Sequence, residues 1–108
     1  MTREPRMTLA TQAVLRVFLE EASQRRYGLE VAREAGIATG SLYPILARLE
    51  QIGWLESAWE DYEAVEPGRP RRRYYQLSAD GAASARAALD RSLRRITPRS
   101  WGTATGAA

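Results

Sequence analysis

Two short helical patterns joined by a turn constrain the fold of this chain more than any other feature. The first covers residues 27–35 and is followed by Gly36, which suits the left-handed conformation that ends a helix. The second covers residues 40–53, where five apolar side chains fall within one narrow arc of a helix: Leu42, Ile45, Leu46, Leu49 and Ile52. Two short helices joined by a turn as short as "GIAT" are typical of a helix-turn-helix.

Longer helical patterns flank this unit on both sides. Thr8 is a suitable N-cap for a first helix that runs to about Ala22, and Ser78 is a suitable cap for a last helix from about Ala79 to Ile96. We expect residues 1–8 to form a flexible N-terminus and residues 98–108, after the helix-ending Pro98, to form a disordered tail.

Two strand-like segments separate the helix-turn-helix from the last helix. They cover residues 54–63 and 72–78 and flank the turn-forming pair Pro67-Gly68, so they predict a β-hairpin with Gly68 and Pro70 at a tight tip. The order of elements is that of a winged helix-turn-helix, in which the hairpin is the wing. The expected fold class is mostly α with a small β-hairpin: a winged helix-turn-helix over residues 9–78, plus a C-terminal dimerisation helix over residues 79–97.

Charge changes sign abruptly at the turn of the hairpin. Residues 56–66 contain five acidic residues and no basic one, whereas four arginines follow within residues 68–73: Arg69, Arg71, Arg72 and Arg73. The formal net charge is only +3, so this local contrast indicates a charged partner more strongly than the total does. Arginines at a wing can contact phosphates or enter the minor groove. We expect the acidic segment to lie away from DNA or to pair with these arginines in the free protein.

The third helix carries small and hydrogen-bonding side chains opposite its apolar arc, a surface that the major groove of DNA can accept. We therefore expect its DNA contacts to include Thr39, Ser41, Tyr43, Pro44, Arg48 and Gln51. Thr39 or Ser41 could also cap the helix. For Tyr43, phosphate contact is favoured over plain packing, whereas for Arg48 a base-reading role and a solvated charge are equally supported.

The composition excludes most enzyme chemistry. The chain has neither histidine nor cysteine, which removes the usual zinc ligands, disulfides and histidine-activated nucleophiles. No glycine-rich phosphate loop accompanies its carboxylates. We expect no enzymatic activity, no cofactor and no metal. No apolar run approaches the roughly 18 residues that a membrane span requires, so we expect a cytoplasmic protein of bacterial type without membrane contact.

Residues 27–57 together with residues 68–81 resemble the PadR-type transcriptional regulators, in the short form with one C-terminal helix. The resemblance implies a dimeric DNA-binding repressor with Tyr43 near the operator and the last helix in the dimer interface. It also implies control by a small ligand, often aromatic or cationic. Ser78 stands where the family commonly has threonine, a change that keeps the helix cap.

The apolar stripe of the last helix predicts a homodimer, because its apolar surface is larger than the core of one small chain can cover. We expect the interface to contain Leu9, Ala82, Ala85, Leu89, Leu93 and Ile96. Paired recognition helices would then bind an inverted-repeat operator in double-stranded DNA. A small apolar or aromatic effector is expected between the paired helices, with Phe18 and Trp101 as candidate contacts. The alternative is a winged-helix protein-interaction module without DNA binding, against which the wing arginines argue.

Overall fold

The computed structural model describes residues 4–96 as four α-helices and a small antiparallel sheet. In chain order the elements are α1 (Leu9–Glu20), β1 (Arg26–Tyr27), α2 (Gly28–Ala35), α3 (Thr39–Gln51), β2 (Leu55–Trp59), β3 (Arg73–Leu77) and α4 (Ala79–Ile96). A 3-10 turn at Tyr62–Ala64 lies between β2 and β3. The expected fold class, mostly α with a small β element, is confirmed.

The sheet contains one strand more than the predicted hairpin. Its order is β1-β3-β2, and β3 pairs on one side with β2 and on the other with β1, where Arg26 faces Tyr75 and Tyr27 faces Tyr74. Two residues are too few to show the alternation from which a strand is recognised in a sequence. β1 was therefore not predicted, although its pairing with β3 attaches the start of α2 to the wing.

The core forms where α1, α2, α3 and α4 meet one face of the sheet. Leu42, Leu46 and Leu49 of α3 have no exposed surface, as the apolar arc predicts, while Ile45 and Ile52 are partly buried at its edges. Helix α2 contributes Val31 and Ala32 to the core, whereas Leu29 is 44% exposed.

Three of the four predicted helix ends are confirmed. The hydroxyl of Thr8 accepts a hydrogen bond from the Thr11 amide (3.1 Å), Gly36 has φ 71°, and the Ser78 hydroxyl accepts from the Gly81 amide (2.9 Å). The cap of α3 was predicted wrongly, because neither Thr39 nor Ser41 caps it. The extended residue before the helix is Ala38, which has no side-chain acceptor.

A buried arginine joins three elements around the helix-turn-helix. Arg26 is 6% exposed, and its guanidinium lies 2.6 Å from Glu34, 3.8 Å from Glu30 and 3.8 Å from Glu20. These carboxylates belong to α2 and to the end of α1, so the ion cluster fixes both helices to β1. A buried charge is tolerated only when it is paired in this way.

The start of α4 lies directly against the junction between α3 and β2. The amide of Ser78 donates to the carbonyl oxygen of Trp54 (3.0 Å), and the Ser78 hydroxyl donates to the carbonyl oxygen of Gly53 (2.8 Å). Gly81 makes the approach possible, since a Cβ atom there would lie 2.1 Å from the Trp54 carbonyl oxygen. No side chain fits at this position unless the backbone moves.

We therefore expect Gly81→Ala to destabilise the fold by about 1–3 kcal/mol or more, because the added methyl group forces α4 away from Trp54. Gly40→Ala is the matched control. It also lies in the first turn of a helix, but a Cβ there meets no atom within 4 Å, so helix propensity should stabilise it by up to about 1 kcal/mol. Urea unfolding measures both changes. A Gly81→Ala variant as stable as wild type would contradict the close approach.

Candidate nucleic-acid interface

The outer face of α3 is solvent-exposed along its whole length. All six side chains expected to contact DNA from this helix are exposed: Thr39, Ser41, Tyr43, Pro44, Arg48 and Gln51. Arg48 donates a long hydrogen bond to the Gln51 side-chain oxygen (3.4 Å). Ser41, Pro44, Arg48 and Gln51 lie on the side of the helix opposite the buried leucines.

Tyr43 packs within the protein and is also half-exposed. Its ring lies so close to the start of α2 that a Cβ atom on Gly28 would be 2.6 Å from the Tyr43 hydroxyl oxygen. The side chain is nevertheless 47% exposed. Packing of Tyr43 against α2 is therefore established, whereas its contact with a phosphate stays a prediction. Gly28 allows the close contact between these two helices.

The connection between β2 and β3, which we call the wing loop (residues 60–72), is longer than the predicted tight tip. Its sharpest bend is a β-turn at Pro67-Gly68, in which the Arg69 amide donates to the Glu66 carbonyl oxygen (3.2 Å) and Gly68 has φ 84°. Proline followed by a glycine with positive φ is typical of a type II turn. The expected tip at Gly68 and Pro70 is therefore corrected to Pro67-Gly68.

Two of the four wing arginines are held by carboxylates. Arg69 donates two hydrogen bonds to the carboxylate of Glu60 (2.9 and 3.1 Å). Arg73 donates to the hydroxyl of Ser57 (2.7 Å) and lies 3.5 Å from the Glu50 carboxylate on α3. The expectation that acidic residues pair with these arginines in the free protein holds for Glu60, while Glu50 belongs to the recognition helix.

The other two wing arginines lie against aromatic rings. The guanidinium of Arg71 is 4.6 Å from the ring centre of Tyr62, and that of Arg72 is 4.3 Å from the ring centre of Tyr27. Within residues 4–96, neither arginine forms an ion pair with a carboxylate. Stacking on a ring orients a guanidinium without neutralising its charge, so both remain available to an anionic partner.

Glu60 organises the wing loop from the end of β2. Besides Arg69, its carboxylate accepts hydrogen bonds from the Arg72 backbone amide (3.2 Å) and the Tyr74 hydroxyl (3.4 Å). Its side chain is only 10% exposed. Burial disfavours the charged carboxylate, but the hydrogen bonds from Arg72 and Arg69 and their positive charges outweigh it and lower the pKa of Glu60 from its ordinary value of 4.5.

Helix α3 and the wing loop border one cleft of about 540 Å³. Tyr43 contributes from α3, Tyr27 from β1, and Arg69 to Arg73 from the wing. The cleft therefore brings Tyr43 together with the four wing arginines, although they are separated by some 30 positions in the sequence. The other five predicted contacts of α3 do not line it: Thr39, Ser41, Pro44, Arg48 and Gln51.

A family model described as the transcriptional regulator PadR-like family matches residues 14–87. The chain belongs to this family.

Solved structures share the fold at low sequence identity. A PadR-like transcription factor from Bacteroides fragilis is 22% identical over 91% of this chain and 88% of its own, with a TM-score of 0.61. A PadR-like regulator from Bacillus cereus is 18% identical over 82% and 84%, with a TM-score of 0.60. Overoxidised AbfR bound to DNA is 20% identical over 93% and 67%, with a TM-score of 0.60. No curated protein matches the chain.

Membership in the PadR-like family gives this protein its general role. The family consists of transcriptional regulators, in agreement with the expectation that the chain is not an enzyme. Among the described residues of this PadR-like protein, no helix has both the length and the apolar character needed to cross a bilayer.

Part of the expected dimer interface belongs instead to the core of the single chain. Ala82 and Ala85 are 9% and 0% exposed, so a partner cannot reach them. Their small side chains let α4 approach its own α1 and β3, which the stripe in the sequence could not reveal. Leu89 is partly buried against the same core, whereas Leu9 and Leu93 are 75% and 56% exposed. The side chain of Ile96 lies outside the described residues.

The expected ligand contacts of this PadR-like protein are not brought together. Phe18 is 1% exposed within the core, so its proposed role as a ligand wall is corrected to packing. Trp101 lies outside the described residues. Sequence reasoning also missed Glu60 and Tyr27 as supports of the wing. Nothing in the run of acidic residues separates Glu60 from Asp61 or Glu63, since only the folded loop selects one of them.

The lowered pKa of Glu60 predicts how the wing loop responds to acid. Its ionised form stabilises the loop fully above its ordinary pKa of 4.5, and this stabilisation is lost only as the pH falls through the lower folded value. The chemical shift of the Arg72 amide, which donates to Glu60, should report this titration by NMR with a midpoint below 4.5. A midpoint at or above that value would contradict the loop geometry.

Proposed function

We propose that this transcriptional regulator binds double-stranded DNA with α3 in the major groove and the wing loop on the adjacent backbone. The observation that carries the proposal is the shared cleft, where Tyr43 of α3 meets the wing loop. Two of the arginines in this cleft, Arg71 and Arg72, have no carboxylate partner among the described residues. The common fold with AbfR, whose structure has DNA bound, supports it. Acting on chromosomal DNA would place the protein in the cytoplasm.

Within this proposal the wing arginines have different roles. Arg71 and Arg72 contact phosphates or the minor groove, because their charge is not neutralised within residues 4–96. Arg69 and Arg73 are already held by Glu60 and by Ser57 with Glu50. To contact DNA, these two arginines would have to leave or share their partners within the protein. We therefore propose that they contribute less to DNA affinity than Arg71 and Arg72.

The outer face of α3 supplies sequence recognition in the proposed complex. Ser41, Arg48 and Gln51 carry the hydrogen-bonding groups that can reach base edges, while Thr39 and Pro44 are compact enough to let the helix enter the groove. Tyr43 reaches a phosphate with its hydroxyl while its ring stays packed on α2. A protein-interaction module without DNA binding is the alternative, and the uncommitted arginines disfavour it.

We propose further that the regulator is a homodimer that binds an inverted-repeat operator. Leu9 and Leu93 are exposed apolar residues, and their neighbours Thr8 and Ser92 line one shallow groove between the start of α1 and the end of α4. Exposed apolar side chains such as Leu9 and Leu93 are covered when two copies pair symmetrically. The proposed interface also includes Leu89, which is partly buried, and Ile96 at the end of α4.

We propose finally that the protein represses transcription and that a small aromatic or cationic effector relieves this repression. The resemblance to PadR-type regulators supports it. Since Phe18 is enclosed in the core, an effector between paired helices would contact the exposed residues of α1 and α4 rather than Phe18.

The first test concerns the wing. Changing Arg71 and Arg72 together to alanine should weaken binding to operator and random DNA alike, since phosphate contacts carry no sequence information. Each lost contact should reduce the slope of log affinity against log salt by about 0.9. Affinity measured over a series of salt concentrations gives this slope. An unchanged slope in the double variant would exclude the wing from the interface.

The second test separates base reading from positioning. Arg48→Ala and Gln51→Ala should each lose roughly 1–3 kcal/mol of binding free energy on the operator if the side chain reads a base. The loss on random DNA should be much smaller. The affinities for operator and random DNA distinguish the two roles. Equal losses on both DNAs would show that the residue contacts the DNA phosphates and reads no base.

The third test concerns dimerisation. Leu93→Glu places a charge in the proposed contact and should yield monomers at micromolar concentration with weaker operator binding. Ala87→Glu adds the same charge at an exposed position of α4 outside the proposed contact and should leave the dimer intact. Sedimentation of wild type and both variants compares them. A monomeric wild type, or a Leu93→Glu dimer like wild type, would show that the interface is elsewhere.

A further inference from the structure

We propose that Glu60 is a positioning residue for DNA binding, whose carboxylate holds the wing loop in the conformation that presents Arg71 and Arg72. The inference rests on the proposed function, since it assigns to an acidic residue a favourable role in binding a polyanion. It therefore predicts that removing this negative charge weakens DNA binding, whereas charge alone predicts that the removal strengthens it.

The contacts of Glu60 close the base of the wing loop. Its carboxylate accepts hydrogen bonds from Arg69, from the Arg72 amide and from the Tyr74 hydroxyl, groups that lie nine to fourteen residues further along the chain. Its own amide donates to the Arg72 carbonyl oxygen (2.8 Å), which extends the β2–β3 pairing past Trp59 and Arg73. Side chain and backbone of one residue thus join both ends of the loop.

The proposed DNA contacts depend on this closure directly. The side chain of Arg71 donates to the Glu60 carbonyl oxygen (2.9 Å). The backbone amide of Arg72 donates to the Glu60 carboxylate, and the Arg72 carbonyl oxygen accepts from the Glu60 amide. In this conformation of the loop both guanidinium groups lie on aromatic rings, that of Arg71 on Tyr62 and that of Arg72 on Tyr27. Without the carboxylate the loop would sample other conformations, and the entropy of ordering it would oppose DNA binding.

Glu63 provides a matched control. It is exposed, lies three residues further along the same loop, and forms no ion pair or side-chain hydrogen bond with the described residues. Glu63→Gln and Glu60→Gln each remove one negative charge without changing the size of the side chain. Electrostatics alone predicts the same slight gain in DNA affinity for both, because repulsion of phosphates decreases.

The experiment compares wild type, Glu60→Gln and Glu63→Gln in binding to a random-sequence duplex over a series of salt concentrations. We expect Glu63→Gln to bind as tightly as wild type or slightly more tightly. We expect Glu60→Gln to bind about tenfold more weakly, the scale of re-ordering one backbone residue on binding. Its salt slope should fall toward that of the Arg71 and Arg72 double-alanine variant.

A second measurement follows the loop without DNA. Limited trypsin digestion should cut after Arg71 and Arg72 faster in Glu60→Gln than in Glu63→Gln, while the rest of the fold resists equally. Equal affinity of the two variants, or faster cutting with unchanged affinity, would overturn the positioning role. A wild type without salt-dependent DNA binding would instead overturn the proposed function, and the inference with it. The two failures are thus distinguishable.

Discussion

The burial of one face of α3 decides what the rest of the molecule can do. Leu42, Leu46 and Leu49 are completely enclosed, and each such side chain contributes about 1.5–3 kcal/mol relative to an exposed position. Rotating the helix would lose most of this free energy and would bury Arg48 and Gln51 instead. The outward direction of the polar face is therefore a consequence of the core, and no contact on that face is needed to maintain it.

Electrostatic contacts fix what the core leaves free, and they do so at two places. Arg26 is enclosed and surrounded by three carboxylates, so removing any one of them leaves a charge that water cannot reach fully. Glu60 is also largely enclosed and organises the wing loop through its hydrogen bonds and its ion pair with Arg69. The first cluster sets the position of α2 relative to the sheet, and the second sets the shape of the wing loop.

The sequence predicted those parts of the structure that repeat with a regular period. The arc of α3 and the caps at Thr8 and Ser78 follow from local rules, and together with the two strand-like segments they led to the correct fold class. Apart from the cap of α3 and the tip of the wing loop, the misses are features that arise only when distant segments meet. β1 is two residues long and exists because β3 pairs with it. Ala82 and Ala85 belong to the intramolecular core, which a helical stripe alone cannot distinguish from a surface for a second copy. The partner of each wing arginine depends on the path of the wing loop, for which no periodic pattern exists.

The contact between Gly81 and Trp54 also joins α4 closely to the rest of the fold. Trp54 lies three residues after the end of α3 and directly precedes β2, so the start of α4 rests on the segment that links α3 to the sheet. Close-packed backbones at this distance do not slide past one another. A tilt of α4 would therefore displace this junction, and α3 and the wing loop would move together with it.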